Sequence, residues 1–103
     1  MRIKAFFVFI CLGILITNNA FAQTIEITNA QYVANGSTKY CNATSSVRSY
    51  CEGQSSCKFP VNNQLCGDPL PGTPKTLSVY FKCGGKADGI TVPEASEGSI
   101  NCK

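Results

Sequence analysis

Apolar residues recur along this chain in three different rhythms. The first is an unbroken run from Ala5 to Ile16, twelve residues long and too short to cross a bilayer. Met1-Arg2-Ile3-Lys4 puts positive charge ahead of it, Thr17-Asn18-Asn19 breaks it, and Ala20-Phe21-Ala22 reads as a small-x-small cleavage site. This order predicts an export leader over residues 1–22 and a mature chain from Gln23. The second rhythm is strict alternation, which marks half-buried strands. It occurs in Ile25-Glu26-Ile27-Thr28-Asn29-Ala30 and most clearly in residues 77–83, where Leu77, Val79, Phe81 and Cys83 share a face. Shorter strands are predicted over Cys57–Val61, with Pro60 favouring a sheet edge, and over Ile90–Val92 and Ser99–Cys102, around a Pro93-Glu94-Ala95 turn. The third rhythm is helical. Val47, Tyr50 and Cys51 fall on one face of a short helix, with Asn42 available as a cap and Gly53 as a stop. Asn35-Gly36-Ser37 marks a turn, and residues 62–75 form a long loop rich in proline and glycine. The sum is mainly β: a small β-sandwich with one short helix, forming a single domain over residues 23–103.

Cysteine content turns that outline into a class. Cys11 lies inside the apolar run after Phe9-Ile10, the wrong place for a lipid-modified cysteine. Without the leader, 81 residues carry six cysteines. In an exported chain this small, an even and dense set implies a disulfide-stapled fold, because the core alone stabilises little. Metal is the rival use of cysteine. With no His and no Cys-x-x-Cys, no zinc site is expected. Six cysteines allow fifteen pairings, and the sequence by itself does not choose among them.

Charge and residue inventory then remove function classes. The mature chain holds seven basic and six acidic residues, so no electrostatic footprint for nucleic acid or an anionic membrane is present. No membrane insertion is expected once the leader is gone. Without His there is no Ser-His or Cys-His dyad, and oxidised cysteines offer no thiolate. Asp88, Glu94 and Glu97 read as solvated acids near turns, and no paired carboxylates suit glycoside hydrolysis. No phosphate-cradling loop is present. The chain is therefore expected to be no enzyme, with no catalytic residues and no cofactor. Asn35-Gly36-Ser37 and Asn42-Ala43-Thr44 are N-glycosylation triplets that matter only if the exporter is eukaryotic.

The stretch from Asn63 to Lys75 carries the chemistry that remains. Its prolines and glycines preset the backbone, so binding through it costs little ordering entropy. Asp68 supplies an acceptor and Lys75 a donor, at the start of the firmest strand. A carboxylate and an ammonium converging from one loop suit neighbouring sugar hydroxyls. On the residues alone, an Asp68 that caps the loop backbone and a solvated Lys75 explain the same pattern. No Trp is present, so an aromatic platform must come from Tyr32, Tyr40, Tyr50 or Tyr80.

A longer series of spacings resembles a known family. Cys41-Asn42-Ala43-Thr44-Ser45-Ser46-Val47 is followed by Cys51-Glu52-Gly53-Gln54-Ser55-Ser56-Cys57-Lys58-Phe59-Pro60-Val61. Then come Gly67-Asp68-Pro69, Pro71-Gly72-Thr73-Pro74-Lys75-Thr76-Leu77-Ser78-Val79, and Tyr80-Phe81-Lys82-Cys83. This series is similar to the galactose/rhamnose-binding lectin domain of the sea-urchin-egg-lectin type, and Ala30-Gln31-Tyr32 resembles the start of its Ala-x-Tyr-Gly-Arg motif. The ending from Cys83 to Cys102 is similar to secreted or periplasmic bacterial proteins of this general shape. The resemblance implies a secreted or periplasmic, non-catalytic domain whose partner is a galactose- or rhamnose-type glycan or a cell-surface glycoconjugate. It implies Tyr32, Asp68 and Lys75 as ligand-binding residues. It also implies Cys41–Cys66 and Cys51–Cys57 pairing, which leaves Cys83 with Cys102.

The chain departs from the family at three places. Val33-Ala34 stands where the family has Gly-Arg, Leu70 stands where it has Cys, and the first strand with its sugar-binding Glu has no counterpart. A scaffold that lost its sugar would instead be a protein-binding or inhibitory module using the Cys66–Lys75 loop as a wedge, or a purely structural envelope domain.

Overall fold

Alternation predicts β1 to Ala30, but the strand runs on to Ala34, as Ile25–Ala34. In the computed structural model, which describes residues 23–102, the cause is a bulge. Pairing with β4 (Lys75–Cys83) shifts register between Ile27 and Asn29. One extra residue, Thr28, moves the inward set from Ile25 and Ile27 to Ala30, Tyr32 and Ala34. The period-2 signal is broken in phase although the strand is continuous. Side chains satisfy the backbone groups that the bulge frees. Arg48 donates from Nε and Nη2 to the Ile27 carbonyl at 3.1 and 3.0 Å. The Ile27 N–H donates to Glu52 Oε1 at 2.9 Å, and Thr28 Oγ1 donates to the Tyr80 carbonyl at 2.8 Å.

Two antiparallel sheets form the layers. One has the order β2 (Tyr40–Asn42), β1, β4, β5 (Lys86–Pro93); the other pairs β3 (Ser56–Pro60) with β6 (Glu97–Asn101). β2 was not expected. It is three residues long, and its pairing with β1 rather than any alternation defines it. β5 starts four residues before the expected strand, because Lys86-Ala87-Asp88-Gly89 pairs with β4 through backbone alone. Tyr32, Leu77, Val79 and Phe81 of the larger sheet share one core with Phe59 and Ile100 of the smaller one. Each fully buried side chain of this size contributes about 1.5–3 kcal/mol.

The helix α1 (Thr44–Cys51) closes one end of the core through buried Val47 and Cys51. Two helix details differ from expectation. Asn42 lies one position ahead of the cap residue, Ala43, yet its Oδ1 still accepts the Thr44 N–H at 2.9 Å. Tyr50 is half exposed, its ring tilted against Phe59 at 6.2 Å between centroids, because Val47 and Cys51 one turn apart fill the core side.

The disulfides join Cys41 to Cys66 and Cys51 to Cys57, the pairs that the resemblance implies, and Cys83 to Cys102, the pair that these leave. They fasten the long loop to β2, the helix end to β3, and the β6 end to β4. The expected leader, residues 1–22 with Cys11, lies outside the described residues.

Candidate functional site

Lys75 is the first residue of β4, opposite Ala34 of β1. Its backbone is held on both sides. The Lys75 N–H donates to Glu94 Oε1 at 2.9 Å, and the Glu94 N–H donates back to the Lys75 carbonyl at 2.9 Å. The side chain is only 3% exposed. A buried ammonium needs a partner, and Lys75 Nζ pairs with Asp68 Oδ1. Asp68 arrives from the long loop, which is shaped by the Cys41–Cys66 disulfide, a left-handed Gly67 (φ 114°) and a Thr73 N–H to Leu70 carbonyl bond at 3.2 Å. Asp68 Oδ1 also accepts the Leu70 N–H at 3.3 Å. The loop-capping role and the ion pair therefore coexist in one carboxylate.

Asp68 and Lys75 line an open cleft of about 440 Å³ together with Asn63, Thr73, Pro74 and Glu94. Tyr32 is placed differently. It is fully buried, and its hydroxyl donates to Asn63 Oδ1 at 2.9 Å, so it supports a wall of the cleft from below. Burial first, then the neighbouring Glu94 and Asp68 carboxylates, push its phenol up to about 12 from the ordinary 10.0. None of the four tyrosines lines this cleft. Tyr40 and Tyr80 are exposed elsewhere, and Tyr50 borders a separate hollow of about 180 Å³ with Ser46, Ser49 and Gln64.

Glu94 corrects the expectation of a solvated turn acid. The β4–β5 ladder brings it to Lys75, nineteen residues away in sequence. The turn after it holds Ala95 at φ 71°, a left-handed conformation that a β-carbon disfavours. The Ala95 N–H to Val61 carbonyl bond at 2.8 Å and the Ser96 N–H to Pro93 carbonyl bond at 3.2 Å fix that turn. The readable sign in the sequence was Glu94 directly after Pro93, at the end of a strand adjoining the Lys75 strand.

Sequence comparison decides the family. The profile of the D-galactoside/L-rhamnose binding SUEL lectin domain matches residues 14–83, more than half of the chain. The chain belongs to this lectin family. A rhamnose-binding lectin of Silurus asotus is 30% identical over 95 residues, covering 87% of this chain and 30% of its own length. A D-galactoside-specific lectin of Heliocidaris crassispina is 38% identical over 52 residues, 50% of each chain. An L-rhamnose-binding lectin of Echinometra lucunter is 38% identical over 50 residues, 48% of each. The chain thus spans half or less of these relatives. No solved structure matches it significantly. The bacterial affinity suggested by the chain's ending has no support among these lectin relatives. The family match stops at Cys83, so this lectin domain's Glu94 lies beyond it.

Proposed function

We propose that the chain is an exported, non-catalytic carbohydrate-binding domain, formed by residues 23–103 after removal of a leader over residues 1–22. Its ligand is a galactose- or rhamnose-type glycan, free or on a cell-surface glycoconjugate, bound at the Asp68–Lys75 cleft. The observation that carries this reading is the buried Lys75 ammonium, fixed by Asp68 at a cleft open to solvent. An ammonium has three donors. One serves Asp68, and two are left for oxygens of adjacent ring hydroxyls, while the carboxylate accepts from a hydroxyl. Both partners are held by the fold, so little side-chain entropy is lost on binding. Tyr32 acts through Asn63, keeping its amide in one orientation at the wall of the cleft.

The affinity for one sugar unit is weak, because the cleft is open. A multivalent glycan surface makes such binding measurable. Lys75→Ala should lower binding by about 1.5–3 kcal/mol, roughly ten- to a hundredfold. Lys58→Ala, the same charge change on β3, should leave it unaltered. Equal binding by the two variants removes the site from this cleft. Failure of the unaltered protein to bind any glycan on a broad array sinks the lectin reading and moves the protein-binding module ahead of it.

A further inference from the structure

Three charged side chains line the cleft: Asp68, Lys75 and Glu94. Two are carboxylates and one is an ammonium, so the lining carries one net negative charge. The ammonium is already engaged by Asp68. Asp68 already offsets its charge, so an incoming anion gains little from it. Glu94 is held at this wall, its Oε1 accepting the Lys75 N–H at 2.9 Å and the turn behind it fixed by the Ala95 N–H. Beneath the cleft, the Tyr32 phenol is neutral and feels both carboxylates.

We propose that Glu94 makes the cleft selective for uncharged saccharides and excludes anionic ones, such as uronic acids and sulfated sugars. The proposal rests on the sugar-binding reading and assigns its specificity to a residue outside the family match. Neutral hydroxyls can donate to carboxylate oxygens, which favours them at this wall. A ligand carboxylate or sulfate has nothing to donate and meets like charge. Repulsion between unit charges about one sugar ring apart, at the dielectric of a half-open cleft, amounts to roughly a five- to thirtyfold loss of affinity.

The test uses the oxidised protein made from the full chain, on polymer surfaces of one scaffold bearing galactose, rhamnose, galacturonic acid or 3-sulfogalactose. The readout is the ratio of affinities for the neutral and anionic galactose surfaces. The unaltered protein should prefer galactose by about tenfold, and Glu94→Gln should narrow the ratio to within about threefold. The amide oxygen of Gln can still accept the Lys75 N–H. Raising salt from about 0.05 to about 0.5 M should also narrow the ratio for the unaltered protein, a measurement that needs no variant. Equal binding of neutral and anionic galactose surfaces, or a preference that neither Glu94→Gln nor salt reduces, overturns this proposal and leaves the sugar-binding reading standing. Binding to none of the four surfaces overturns both.

Discussion

Removing one oxygen, by Tyr32→Phe, should reverse its effect on stability as pH rises. Near neutrality the buried phenol donates to Asn63 Oδ1. Phenylalanine keeps the ring and loses that bond. Asn63 lines the open cleft, where water can replace the donor. The variant should therefore be less stable by about 1 kcal/mol. In alkali the balance changes. The phenol ionises near 10.0 in the unfolded chain and near 12 in the fold. Stability from its neutral form is fully present below the unfolded value and is lost as pH rises through the folded one. The loss is about 1.4 kcal/mol at pH 11 and about 2 kcal/mol at pH 12. The variant has nothing to ionise at this position and escapes it. The two stability curves should cross near pH 11, with the variant more stable above. Urea unfolding of both proteins in half-unit steps from pH 8 to pH 12 measures this, with freshly prepared samples at each step to limit disulfide exchange. Every other residue is the same in both proteins, so the difference between the curves reports on position 32. A gap between the curves that stays constant from pH 8 to pH 12 refutes the argument.

Two further predictions concern the frame that holds the cleft. A β-carbon on Gly98 of β6 would run into the Phe59 ring across the two-stranded sheet, so Gly98→Ala should cost about 1–3 kcal/mol in a thermal or denaturant melt; an unchanged melt removes that contact from the core. Replacing both Cys83 and Cys102 by Ala opens a crosslink of sequence separation 19 and should cost about 3 kcal/mol. The same variant should weaken glycan binding, since the crosslink fastens the segment that carries Glu94; full-affinity binding by a destabilised variant separates the crosslink from the site.

Legibility followed the range of the interactions. The Leu77–Cys83 strand was readable because one face of it packs inward without interruption. The first strand was truncated in reading because a bulge changes which residues face in, and that shift is set by β4, which is distant in sequence. Lys86 to Gly89 gave no strand signal because their side chains are exposed and only their backbones pair. At the site, Asp68 and Lys75 share one loop, so their convergence was visible in sequence. Glu94 belongs to a neighbouring strand end, and a turn acid looks solvated until the ladder that carries it is known. Tyr32 was identified by resemblance, but its burial beneath Asn63 depends on packing between layers.

The two ends of the described chain meet at one place. Ile25 opens β1 with its N–H on the Gln54 carbonyl at 2.8 Å, and Cys102 follows β6 with its N–H on the next carbonyl, Ser55, at 2.9 Å. Cys83 stands opposite Ile25 in the sheet and is bonded to Cys102. A peptide joining these ends would need only a short span, and the chain could then be reopened at another surface loop without disturbing a layer. For this architecture, the order of strands along the gene and their order in space are separable. The carboxylate beside Lys75 can come from a segment that follows β4 as readily as from one that precedes it.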